Sequence, residues 1–266
     1  MIKALGIIGL IPIALAAMFF VAKGIRSLTV CHEPAQLNTD HFVVNYQGIY
    51  KESAEDVGRT LESNYQRIRS VLRDPEHGVI TVYIHPNQEE FNEATGLLHS
   101  TAIGTSRGPM EFHMIWTNWL NSFLPHDPEK TAVHEFTHCV QLNILIHDAF
   151  GSLEYKDEKS FNEAFEKKFA DDYPQWFWEA VCAYEAEEVN RLSVVYGMRS
   201  SNTLRELSQS NQIYNVGYTI IEYFVHQWGK DKLSEFIRSY CNFEKVLGVS
   251  EEEFEQGWKK YVAENY

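Results

Sequence analysis

The chain has 266 residues, 44% hydrophobic and 23% charged, enough to bury a substantial core in one large domain or two small ones. A formal net charge of −14 argues against a nucleic-acid partner, because such a balance does not favour binding phosphates. The four cysteines (Cys31, Cys139, Cys182 and Cys241) are widely spaced and form no CxxC pair, so they read as free buried thiols. Neither a disulfide framework nor a cysteine metal site is expected.

Residues 4–22 read ALGIIGLIPIALAAMFFVA, uncharged, between Lys3 and the pair Lys23 and Arg26. A helix of that length spans a bilayer core, so residues 1–30 are expected to be a membrane anchor, with a cleaved signal segment as the alternative. HFVVNYQG (41–48) reads as a strand ended by Gly48. Val57, Leu61, Tyr65, Ile68 and Leu72 recur at helical spacing over 52–73, which stops before Pro75. GVITVYIHP (78–86) is a second strand. NQEEFNEATG (87–96) is a short helix capped by Asn87 and ended by Gly96. AIGTSRG (102–108) and MEFHMIWTN (110–118) read as further strands joined by a glycine-containing turn.

From Asp127-Pro128 onward the chain reads as helical, since Asp caps free amides and Pro suits a first turn. The first helix of this half is expected to run to about residue 146. Residues 152–172 carry Phe161, Phe165 and Phe169 at four-residue spacing, an amphipathic surface helix within an insertion over about 148–172. Helices over 175–189, 214–228, 230–241 and 250–264 follow. The expected fold class is α+β: a small mixed sheet followed by a mainly helical half, over residues 31–266.

AVHEFTHCVQ (132–141) carries the chemistry. His134 and His138 lie four apart, so on a helix both imidazoles project from one face and can grip one ion. Glu135 is about 100° further round, beside the metal rather than on it, where it can take a proton from metal-bound water. A catalytic zinc needs a third protein ligand. A metzincin would have a histidine six residues after His138 and a glycine at three, but those positions hold Ile144 and Gln141. A glutamate on a later helix is the other common solution. Glu179 in PQWFWEAVCAY (174–184) sits near the start of an apolar, aromatic helix, where an unpaired carboxylate is costly. Glu185, Glu187 and Glu188 are rivals that cluster like a solvated face.

HEFTH followed by WFWEAVCAY resembles the gluzincins, zinc peptidases built on a thermolysin-like domain, and the aminopeptidase N-like group in particular. That group's second motif has the form W-L-N-E-G-F-A-x-Y, which Trp176, Glu179 and Tyr184 match, with Ala180 in place of glycine. Two later stretches, YNVGYTIIEYFVHQWGKDKLSEFI (214–237) and LGVSEEEFEQGWKKYV (247–262), are similar to the tail of the compact peptidase MA-like proteins. The resemblance covers roughly residues 78–262. It implies a thermolysin-like zincin domain with one Zn2+ held by His134, His138 and Glu179, and Glu135 as general base. It further implies that Tyr214, in a Y-x-x-G context with Gly217, donates to the oxyanion, with Tyr218 as the alternative. GPMEF (108–112) is near the G-x-M-E-N signature that recognises a free amine, which would make Glu111 a substrate-binding residue on the sheet's edge strand. Phe112 replaces the asparagine.

Two departures stand out. Residues 139–178 between the second histidine and Glu179 make a longer gap than the clan's usual one, and no acidic partner orienting either histidine is evident from sequence. The expectation is a membrane-anchored zinc metallopeptidase acting on peptides or proteins. Lys23 and Arg26 favour a cytoplasmic C-terminal flank, but an N-terminal anchor ahead of a hydrolase domain more often exports that domain. The expectation is therefore an extracytoplasmic domain, or a secreted one if the segment is removed. A non-catalytic zincin-fold scaffold, or a zinc hydrolase of a non-peptide amide, are the competing readings; an intact Glu135 argues against the scaffold.

Overall fold

A computed structural model of the chain describes residues 33–76, 78–116, 127–199 and 203–266. The expected N-terminal anchor lies outside the described residues. Among the described residues, no helix is long and apolar enough to cross a membrane.

Five strands form one mixed sheet. In chain order they are β1 (Pro34–Asn38), β2 (Phe42–Gln47), β3 (Ile80–His85), β4 (Gly104–Ser106) and β5 (Glu111–Ile115). In space the order is β1-β2-β3-β5-β4. β2, β3 and β5 run parallel to one another, while β1 and β4 join the two edges antiparallel. The α+β expectation therefore stands for the sheet and the helical half. One placement is corrected: β5, which carries Glu111, is an interior strand, and the edge beside it is β4.

Alternation sorts each strand's side chains between two environments. Phe42, Val44, Ile80, Val82, Ile84, Phe112 and Met114 are buried on one face. Against them packs α1 (Lys51–Leu72), through Val57, Leu61, Tyr65, Ile68 and Leu72, all at the spacing the sequence displayed. So does α3 (Pro128–Phe150), whose Phe136 meets the Phe42 ring edge-on at 5.3 Å. The opposite face is polar, with Asn45, Tyr83, His113 and Thr105 paired in a row across it. The short α2 (Gln88–Thr95) packs Phe91 against His85 there. Asn87 caps α2 by accepting the Glu90 amide at 2.9 Å, and Gly96 ends it with φ of 70°, both as the sequence indicated.

The helical half consists of α4 (Glu158–Asp172), α5 (Gln175–Glu185), α6 (Arg191–Arg199), α7 (Leu204–Leu207), α8 (Ile213–Trp228), α9 (Lys232–Arg238), α10 (Phe243–Leu247) and α11 (Glu251–Asn265). α3 runs four residues beyond its expected end, whereas α4 begins only at Glu158, where Asp157 and Ser160 form a reciprocal cap. α5 lies between α3 and α8, and its approach to α8 is close. A β-carbon on Gly217 would meet the Ala180 α-carbon at 3.2 Å, so these two small residues set the crossing. That crossing puts Glu179 and Tyr214 on neighbouring helices beside the histidines of α3.

Candidate active site

His134, Glu135 and His138 sit mid-helix in α3, which Asp127 starts by accepting the Glu129 and Lys130 amides. All three are buried, as is Glu179 on the second turn of α5. The two histidines turn their Nε2 atoms towards one carboxylate oxygen. Glu179 Oε2 lies 3.3 Å from His134 Nε2 and 3.7 Å from His138 Nε2. Gln175, one turn earlier on α5, donates to the other oxygen of Glu179 at 2.8 Å. Although burial opposes it, contact with the two imidazoles holds the Glu179 carboxyl far below its ordinary range. Ligand bonds of about 2.0–2.2 Å in tetrahedral array separate donor atoms by about 3.3–3.6 Å, and these two separations lie near that range.

The other ring nitrogens are occupied too, and here sequence reasoning missed the residues. Glu188 Oε2 lies 2.9 Å from His134 Nδ1. Glu188 is therefore the acidic orienting partner that was not evident from sequence, and it is not part of a solvated face. The chain reverses after α5 through Glu187, whose φ of 54° is left-handed, and the Glu188 amide returns to the Ala183 carbonyl at 2.8 Å. For His134 burial works against protonation, but the charge of Glu188 and its bonds to both carboxylates outweigh this and raise its pKa well above normal. His138 Nδ1 faces the Cys182 sulfur at 3.0 Å, and its ring stacks on Trp178 at 4.0 Å between centroids. Cys139, Cys182 and Cys241 are free and buried, as expected. The exclusion of a cysteine from any metal cluster is corrected, however. His134, His138 and Cys182 form a buried group whose donor atoms lie within 4.8 Å of one another and which could hold a metal ion.

Glu135 points to the edge strand. A β-carbon on Gly104 would lie 2.3 Å from its Oε1, so the glycine leaves the space the carboxylate fills. The Ser106 amide donates to this carboxylate, while Oε2 is buried without a hydrogen-bond partner. Burial, reinforced by the charges of Glu179 and Glu188, pushes the Glu135 carboxyl up to about 8. Oε2 is thus the polar atom of this carboxyl left free to exchange a proton with a bound reactant.

Tyr214 stands on the first turn of α8, more than half exposed. Partial burial of the hydroxyl and then the charges of Glu179 and Glu135 keep it protonated well past its ordinary range, so it remains a donor. Tyr218 packs its ring on Tyr184 at 5.3 Å and feels Glu222 and Glu187 instead, so the alternative donor faces elsewhere. Glu111 is not brought to this site. Phe112 and Met114 take the β5 face that meets α3, and Glu111 takes the other, where its Oε1 accepts from His113 Nε2 at 3.1 Å. Comparison of the sequence with protein-family models and with curated proteins finds no match.

Proposed function

We propose that this chain is a zinc-dependent metallopeptidase of gluzincin type, with His134, His138 and Glu179 as ligands and Glu135 as general base. The carrying observation is the pairing of two features: one carboxylate oxygen facing two imidazole nitrogens at ligand spacing, and beside it a buried Glu135 oxygen with no partner. Two imidazoles and a carboxylate are a donor set that suits zinc. Zinc bound there supplies a Lewis acid that polarises a carbonyl and brings the pKa of water down towards about 7.

The chain's own residues supply the rest. Glu135 takes a proton from the attacking water and passes it to the leaving amine. Burial raises its affinity for that proton, which suits it to take the proton from the water. Tyr214 donates to the oxyanion as the carbonyl becomes tetrahedral. β4 is an edge strand beside Glu135, so an extended peptide can add to it by backbone hydrogen bonds. This arrangement suits a thermolysin-like zincin domain. Residues 1–30 would tether that domain to a membrane, on the extracytoplasmic side.

Internal cleavage is favoured over removal of single N-terminal residues, because Glu111 is engaged by His113 on the far sheet face. Metal analysis of the full chain paired with a peptide-library digest tests the whole reading. About one zinc per chain and cleavage of both N-acetylated and free peptides are expected. Glu135→Gln should keep the zinc and lose hydrolysis. Glu179→Ala should lose the zinc; full zinc retention in that variant would show that another group, such as Cys182, is the third ligand. Undiminished hydrolysis by Glu135→Gln would sink the mechanism and leave the fold a scaffold.

A further inference from the structure

The insertion between the second histidine and Glu179 does not stand apart from the site. Tyr173, which follows α4, donates its hydroxyl to Gln141 Oε1 at 2.9 Å. Gln141 is fully buried on α3, one turn beyond His138. Its amide nitrogen donates to the Trp178 carbonyl at 3.1 Å and to the Cys182 sulfur at 3.2 Å. A carbonyl can only accept, so the Trp178 contact fixes which end of the amide faces Tyr173. The same sulfur lies 3.0 Å from His138 Nδ1. Cys182 is three residues after Glu179, on the same side of α5, so one helix face offers a carboxylate to one nitrogen of His138 and a thiol to the other.

A neutral imidazole carries its hydrogen on one nitrogen and a lone pair on the other. A sulfur that accepts from Nδ1–H leaves the Nε2 lone pair free, and Nε2 is the nitrogen that faces Glu179. We propose that Cys182 is a positioning residue that holds His138 in its metal-binding tautomer, and that the insertion sets this contact through Tyr173 and Gln141. The proposal rests on the zinc reading of the site. The insertion thereby gains a role, since α4 anchors the relay from outside, through Phe169 packed edge-on against Trp178 at 5.2 Å and through Tyr173. The two histidines then differ in support. His134 is backed by a carboxylate and His138 by a sulfur, a weaker acceptor that depends on the relay to stay in place.

The test is zinc affinity of the full chain, measured by competition with a chromophoric chelator, with X-ray absorption at the zinc edge. The unaltered chain should bind zinc through nitrogen and oxygen alone, with no ligand at the zinc–sulfur distance of about 2.3 Å. Cys182→Ala should weaken binding by about 10–100-fold, the usual effect of removing a partner of a ligating histidine. Cys182→Ser, which restores an acceptor, should recover most of that loss. Tyr173→Phe keeps the buried ring and should weaken binding in the same direction by a smaller factor; it carries the test if Cys182→Ala does not fold. Cys241→Ala, a buried thiol outside the site, should bind as the unaltered chain does. Full affinity in Cys182→Ala, or in Tyr173→Phe where only that variant folds, overturns the proposal alone, and so does sulfur in the zinc coordination sphere. No zinc binding by the unaltered chain overturns the hydrolase reading, and this proposal with it.

Discussion

Gly104 and Glu135 occupy one space between them. Any β-carbon at 104 meets Oε1 at 2.3 Å and both Cδ and Cγ at 2.8 Å, far inside normal contact. Gly104→Ala must therefore push the carboxylate out of its seat on the edge strand, or push the strand away. Misplacing a catalytic group by about 1 Å can cost on the order of 100-fold in rate. We expect Gly104→Ala to lower kcat by about that factor while zinc content stays the same, measured on a peptide found in the digest. Unchanged kcat would mean that Glu135 does not act from this seat. The four residues His134, Glu135, His138 and Glu179 were legible in the sequence because helical spacing and the cost of a lone buried carboxylate both operate locally. Glu188 was not, because its return to His134 depends on a left-handed turn at Glu187, a residue with no glycine-like signature. Cys182 was hidden differently. Its spacing from Glu179 was visible, but its contact with His138 depends on how α5 packs against α3, which cysteine spacing does not encode.

Elements follow the same division. α1, α2, α3, α8 and α11 were legible because each carries a periodic apolar face or a capping signal, and β3 because it alternates. β1 reads PAQLN and has no buried residue, so pairing with β2 alone makes it a strand. The position of β5 inside the sheet was not legible either, since antiparallel addition of β4 is decided by a turn and not by the pattern of β5 itself. That interior position creates a chain of three side chains on the polar face. His113 donates from Nε2 to Glu111, which leaves its Nδ1 to accept from His85 Nε2 at 2.8 Å. Burial, and then the neighbouring His113, lower the His85 pKa to about 4 from 6.5. The folded chain thus binds fewer protons at His85 than the unfolded chain between those values. This contribution to stability is present above pH 6.5 and is lost as pH falls towards 4. His85→Gln keeps an amide donor for His113 but cannot take a proton. From neutral pH to pH 4.5 the urea midpoint should therefore fall less for the variant than for the unaltered chain. Parallel loss in both chains would remove His85 as the source.

At the scale of the molecule, the sheet layer and the helical half meet at a buried ion group. The Glu185 side chain is fully buried at the end of α5, where it accepts from Arg67 of α1 and lies 3.0 Å from the Lys230 ammonium between α8 and α9. Arg67 also donates to the Glu185 carbonyl at 2.8 Å, which ties off the end of the helix just before the turn that delivers Glu188. One residue thus links three parts of the fold and fixes the exit of the helix that supplies Glu179, Cys182 and Glu188. Arg67→Met would keep the aliphatic packing and leave a buried carboxylate with Lys230 alone. Losing a charge-assisted hydrogen bond and stranding a carbonyl costs about 1–3 kcal/mol, discounted because the Arg67 head is partly exposed. The loss should appear in urea unfolding of the zinc-free chain. Zinc affinity should fall as well, since the turn through Glu187 would lose its anchor, and Arg67→Lys should recover only part of either, because one ammonium cannot reach both acceptors as the guanidinium fork does. If Arg67→Met unfolded at the same urea concentration as the unaltered chain, Lys230 alone would satisfy Glu185, and the joint between the two halves would have to be sought in the apolar contact of α3 with α5.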